Sequence, residues 1–273
     1  MSADAIEVWV DGVGLLAPGI TDWAQGQALL RGAAYAPAPT VLPAPELLPA
    51  AERRRASRIV KAALAVGLEA CRQAGREPAT LASVFASSGG DGHNCHALCE
   101  QLAQGERQIS PTRFHNSVHN AASGYWAIAT GATPAAQVLG AYDASFGAGL
   151  LEAMTQVETS GQAVLLLACD SEYPAPLHAK RPIQDTAGLA LVLAPARGAH
   201  SIARLRLARR GALQAVAPSP LQGVDAALAA GVAAMPPLRG LPLAQALLAP
   251  GAAPTIAIEY LPPQSLLIEV VAP

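Results

Sequence analysis

FHNSVHNAASGYWAIATGATPAAQVLGAYDASFGAGLLEA, residues 114–153, decides how the rest of the chain is read. Between Asn120 and Tyr142 it carries no Asp, Glu, Lys or Arg, yet Gly124, Gly131, Pro134 and Gly140 interrupt it. A membrane span needs about twenty apolar residues in an unbroken run, which this stretch does not offer. It reads as a helix over 116–130, a short strand over 136–140 and a second helix from about Ala144. A sharp strand-to-helix turn at 141–145 joins the last two. Turns of that kind hold the nucleophile of many α/β enzymes. Here Tyr142-Asp143-Ala144-Ser145-Phe146-Gly147 lacks the first glycine of G-x-S-x-G. Asp143 or Ser145 reads as a cap of its own helix; Ser145 as a nucleophile would need a base. The sequence sets none of His93, His96, His115, His119, His178 or His200 beside it.

Upstream, residues 6–16 (IEVWVDGVGLL) are apolar and β-rich, a buried first strand. Thr21 reads as the N-cap of a short helix to about Leu30. Residues 36–49 hold five prolines and run extended. Residues 52–74 form an amphipathic helix with Ile59, Ala63, Val66 and Ala70 on one face. A second strand over 81–88 enters the turn Ser87-Ser88-Gly89-Gly90-Asp91-Gly92, and a helix follows over 93–104. Downstream, 163–168 (AVLLLA) and 189–193 are the continuous apolar strands of a sheet covered on both faces. Strands over 202–207, 255–260 and 266–271 and an Ala-rich helix over 224–234 complete the reading. The order predicts an α/β fold with a mostly parallel sheet and helices on both faces. Residues 240–258 are uncharged but contain three prolines, so they too predict no membrane span.

The chain has 273 residues, 52% hydrophobic and only 14% charged, with a net charge of −2. So charge-poor a surface implies apolar area covered by another subunit. The near-neutral balance, without a basic stripe, argues against nucleic acid. MSADAIEVWV lacks the regions of a signal peptide, and four cysteines make no disulfide framework, so a cytoplasmic protein with reduced thiols is expected. His93, Cys95, His96 and Cys99 could share helix faces, but no second ligand pair at zinc spacing accompanies them, and no metal is predicted. The SSGGDG loop is an anion cradle or, more simply, a tight turn. The basic run Arg53, Arg54, Arg55 and Arg58 is a solvated face or a dock for an acidic partner.

Read together, these landmarks resemble the N-terminal half of a β-ketoacyl synthase of the thiolase-like superfamily. RRRASRIVKAALAVGLEA resembles the basic helix before the second strand, and FASSGGDG the glycine turn after it. NAASGYWAIATGATPAAQVLGAYDASFGAGLLEA resembles the helix, strand, nucleophile turn and helix in unbroken order. AVLLLACDSEYP and KRPIQDTAGLALVLA resemble the last two strands of the half. The resemblance covers residues 6–195 and implies a ketosynthase N-terminal-like domain over 1–195, with an abbreviated segment over 196–273 packing on it.

The resemblance also sets Asp143 (or, one residue off, Ala144) where a ketosynthase has its cysteine, and neither is a thiolate nucleophile. Residues 196–273 are short for a second half and hold no histidine in a glycine- and threonine-rich motif, so no catalytic residues and no cofactor are expected. FHNSVHNAASGYW and YDASF are similar to the chain-length-factor type of protein found in aryl polyene pigment clusters. Such a protein is implied to pair with a full-length β-ketoacyl synthase as a heterodimer. In that pairing it shapes the pocket for an acyl chain delivered by an acyl carrier protein. The interface would bury roughly 2,000 Å² or more. The resemblance implies interface and acyl-tunnel roles for Phe114, Asn116, Asn120, Tyr125, Tyr142 and Phe146, and carrier docking for Arg53, Arg54, Arg55 and Arg58. Two other readings stand beside it: an acyltransferase or hydrolase using Ser145 or Asp143, and a homodimeric binding or scaffold protein.

Overall fold

The computed structural model describes residues 4–105, 108–249 and 253–273. In chain order the elements are β1 (Ala5–Leu16), α1 (Trp23–Leu30), α2 (Ala50–Arg55), α3 (Arg58–Gln73), β2 (Ala82–Ala86), α4 (Gly92–Ala103), α5 (Pro111–Ser117) and α6 (Ala121–Thr130). They continue with β3 (Ala136–Leu139), α7 (Ser145–Ser160), β4 (Val164–Asp170), β5 (Ala187–Ala194), β6 (Ala203–Ala208), β7 (Leu213–Gln214), α8 (Ala226–Ala233), α9 (Leu241–Ala246), β8 (Thr255–Glu259) and β9 (Ser265–Val271). One sheet holds all the strands in the order β3-β2-β4-β5-β1-β6-β9-β7, with β8 on β9. Helices cover both faces, which is the α/β, thiolase-like arrangement expected.

The sheet is less parallel than its strand order suggested. Only β2–β3 and β2–β4 run parallel, and the other pairings are antiparallel. The cause lies in the connections. Parallel neighbours need a crossover, usually helical, and α4 to α7 supply it between β2, β3 and β4. Between β4 and β5 there is only a loop with a single 3₁₀ turn, and between β8 and β9 a tight turn.

Every residue of β4 and β5 is buried, as their unbroken apolar runs require. One face packs against α7, α8 and α9, with Phe146, Leu150, Met154, Leu166, Leu191, Leu228 and Leu243 in one cluster. The other packs against α3 and α6, with Val60, Val66, Tyr125, Trp126, Leu165 and Leu167 in a second. In β1 a register shift between Val10 and Gly12 moves the buried side chains from even to odd positions: Val8 and Val10, then Val13 and Leu15, join the same cluster. Past the bulge, Gly14 lets α3 lie directly on the strand, since a Cβ there would meet the Val66 carbonyl oxygen at 1.9 Å.

Three boundaries differ from the sequence reading. Asp22, not Thr21, caps α1, accepting from the Gln25 amide at 2.8 Å. The helix expected over 52–74 breaks at Ala56 and Ser57, both extended. The break buries Ala56 and turns Arg58 onto Asp185 (2.7 Å) and Glu172 (2.8 Å). The helix expected over 116–130 is α5 and α6, separated by extended Val118. Ser110 and Pro111 start α5 early, as a cap and an N1 proline do.

Candidate functional site

The site grows from the short edge strand β3, which pairs only with β2 among the described residues and leaves Ala136 and Gln137 exposed. After Leu139 the chain turns through Gly140 and Ala141 into one 3₁₀ turn, Tyr142–Ala144, and then α7. Tyr142 has φ 54°, making it the one non-glycine residue among the described residues with positive φ. A bulky residue there is a true outlier, and such strain gathers at functional positions. The turn is therefore an elbow, with its strained residue one place before Asp143.

The side chains of Ser145 and Asp143 are engaged within the chain. The Ser145 hydroxyl accepts from the Ala141 amide (3.0 Å) and donates to the Tyr142 carbonyl (2.7 Å), and the residue is 1% exposed. Neither Ser145 nor Asp143 caps α7, which has no side-chain cap; the capping expectation is corrected because both groups are held elsewhere. The Asp143 carboxylate bridges Arg181 and Arg239, the latter at 3.0 Å, and Arg239 continues to Glu259. The Arg181 guanidinium also stacks on the Tyr142 ring, 3.7 Å from its centroid. Two cations and two anions thus form a closed, neutral cluster under an exposed aromatic ring. Sequence reading missed both arginines: they lie far along the chain in motifs that gave no sign of them.

Behind the elbow, at the carboxyl ends of β2 and β4, sits Asp170, 1% exposed. Its Oδ1 accepts from the Ser87 hydroxyl (3.0 Å) and from the Ser88 amide (2.9 Å) and hydroxyl (2.8 Å). Burial pushes the carboxyl up to about 6, against the lowering pull of the serine bonds and of Arg181. The glycine loop is closed by a ring: a Cβ on Gly89 or Gly92 would lie 1.7 Å from Tyr173 atoms. That makes the loop a seat for Tyr173, the tight-turn reading. His119 joins the two halves, its Nε2 3.0 Å from the Ser87 carbonyl oxygen and its ring against Gly140.

The six residues proposed for interface and tunnel separate into groups. Phe114, Asn120 and Tyr142 are exposed. Asn116 and Tyr125 are buried and joined, Tyr125 Oη donating to Asn116 Oδ1 at 3.1 Å, while Asn116 Nδ2 donates to the Arg55 carbonyl. Phe146 is a core residue whose ring packs on Gly240, where a Cβ would approach within 2.4 Å. Of the basic run, Arg53 donates to the Glu46 and Leu48 carbonyls, Arg55 pairs with Glu52, and Arg58 is held by Glu172, Asp185 and Thr186. Burial pushes the Cys71 thiol up to about 12 and that of Cys169 still higher, and both are inert in the core. Cys95 and Cys99 are exposed, and among the described residues no three His, Cys, Asp or Glu side chains converge.

Fold and elbow together define a thiolase-like, ketosynthase-like chain. The family model for the β-ketoacyl synthase N-terminal domain matches residues 21–233, and the chain belongs to that family. No curated protein matches it. A ketosynthase (ApeO) in complex with its chain length factor (ApeC) from Xenorhabdus doucetiae is similar in structure: TM-score 0.69 and 23% identity, over 97% of this chain and 99% of that one. A β-ketoacyl synthase from Burkholderia phymatum STM815 matches with TM-score 0.56 and 15% identity, over 73% of this chain and 62% of that one. The ketosynthase assembly AntDE:AntF, a type II PKS acyl-carrier protein in complex with its ketosynthase, matches with TM-score 0.58 and 14% identity, over 74% and 68%. Among the described residues no single helix is long and apolar enough to cross a membrane.

Proposed function

We propose that this chain is a non-catalytic, chain-length-factor-like subunit. It pairs with an active ketosynthase in carrier-protein-dependent chain elongation of the polyene or fatty-acid type, in the cytoplasm. The observation that carries the reading is the elbow itself: the strained strand-to-helix turn is kept, but Asp143 stands in it, neutralised by Arg181 and Arg239. A carboxylate so paired is no acyl acceptor, and Ser145 has spent its hydroxyl on the turn. The near-complete mutual coverage with a chain from a ketosynthase–chain length factor complex supports the same reading. Residues 1–195 act in it as the ketosynthase-like domain and 196–273 as a segment that braces the elbow through Arg239 and Glu259.

In this function the free β3 edge and the exposed Phe114, Asn120 and Tyr142 meet the partner, and a ring at the seam limits acyl length by sterics. The carrier protein docks through the basic run, of which Arg53, Arg54 and Arg55 on α2 are exposed. Co-expression with a full-length, cysteine-bearing ketosynthase tests the reading. A one-to-one complex whose products lengthen in Phe114→Ala is expected; a chain that binds no ketosynthase, or hydrolyses acyl esters alone and loses this in Ser145→Ala, would contradict it.

A further inference from the structure

Tyr142 combines three properties. Its backbone is in the left-handed region, the residue is 61% exposed, and one face of its ring is covered by Arg181 at 3.7 Å. An exposed side chain with no other task would be replaced by glycine or asparagine at such a φ, where strain is least. Holding a large ring outward at that cost implies a use outside the chain. The ring is also immobilised from below: Arg181 is tied to Asp143, Asp143 to Arg239, and Arg239 to Glu259 at the end of β8.

We infer that Tyr142 is the preorganised anchor by which this chain grips its ketosynthase partner, and that Arg181 and Asp143 are the residues that position it. The inference rests on the heterodimer reading above. Rigid aromatic rings that lose little freedom on burial are the usual hot spots of interfaces. The surroundings fit an apolar partner that brings its own strand edge. Residues 114–142 contain no Asp, Glu, Lys or Arg, Phe114, Val118 and Ile128 are exposed there, and the outer edge of β3 leads straight into the elbow. The cluster beneath is neutral, so it contributes rigidity rather than charge to the contact.

The test uses the full chain and the co-expressed cysteine-bearing ketosynthase, with two readouts. Tyr142→Gly relieves the strained φ, so the thermal midpoint of the lone chain rises, while association with the ketosynthase weakens about tenfold or more. Loss of a residue with a merely structural role would lower the midpoint and leave the affinity of the folded chain unchanged. Tyr142→Asn, which tolerates the same φ, repeats the split should the glycine variant fold poorly. Arg181→Met leaves the ring but frees it, and weakens association less than Tyr142→Gly. If wild type binds and Tyr142→Gly binds equally tightly, the anchor is overturned while the heterodimer reading stands. If wild type binds no ketosynthase, both fall. A wild-type homodimer that Tyr142→Gly returns to monomer overturns the choice of occupant.

Discussion

The middle of the sheet and its β3 end are built on opposite principles. In the middle, β4 and β5 are buried along their whole length and are held by apolar packing and by their strand ladders, with Asp170 the one charged residue, at one end. At the β3 end the strand is four residues long and half exposed. It leads into a strained elbow held by ion pairs that reach across the chain to Arg239, 96 residues away. The first region stabilises the fold; the second sacrifices stability to keep a particular surface in place. Nothing in the middle depends on a partner, whereas the edge makes physical sense chiefly with one.

That contrast can be broken from either side. Leu166 is fully buried against Gly149 of α7, and Leu166→Ala should cost about 3–4 kcal/mol in urea unfolding. The fraction that remains folded should bind the ketosynthase as wild type does. Asp143→Ala leaves Arg181 and Arg239 without their shared anion. In partly exposed surroundings that should cost about 1–3 kcal/mol, and partner association should suffer more than stability.

Asp170 sharpens the boundary between the regions. Its folded value of about 6 lies above the ordinary carboxylate value of 3.8. The folded state therefore binds a proton more readily than the unfolded chain. Its contribution is fully present below about pH 4, falls as pH rises through 6, and is a penalty above. Asp170→Asn keeps the acceptor for Ser87 and Ser88, so it should raise stability at pH 7.5 by about 1–2 kcal/mol and flatten the profile between pH 4 and 6. The smallest effect belongs to Arg54 on exposed α2: Arg54→Ala should leave stability within about 0.5 kcal/mol, read by urea unfolding, while weakening carrier-protein binding.

The legibility of the sequence followed the same division. AVLLLA and LALVL declare buried strands, because an unbroken apolar run has few other uses, and the elbow is visible as a strand meeting a helix across Ala141 to Ser145. The breaks at Ala56 and Val118 were not visible, since tertiary bonds to Arg58, Asn116 and His119 impose them on sequence that is locally helical. The sequence offers Phe146 as an interface or tunnel-wall residue, yet α7 turns it into the core, which depends on a helix phase that only the elbow fixes. The two arginines on Asp143 were beyond reach, because pairing across such separations leaves no local pattern.

Whether the elbow performs chemistry is settled most directly by elongation with the complex in which the ketosynthase partner's cysteine is replaced by alanine and this chain is wild type. With Asp143 paired and Ser145 committed to the turn, product formation should fall to background, and Asp143→Cys in this chain should not restore it. Residual elongation by the cysteine-less complex, lost when Asp143 or Ser145 is changed, would show a working nucleophile in this elbow and contradict the non-catalytic reading.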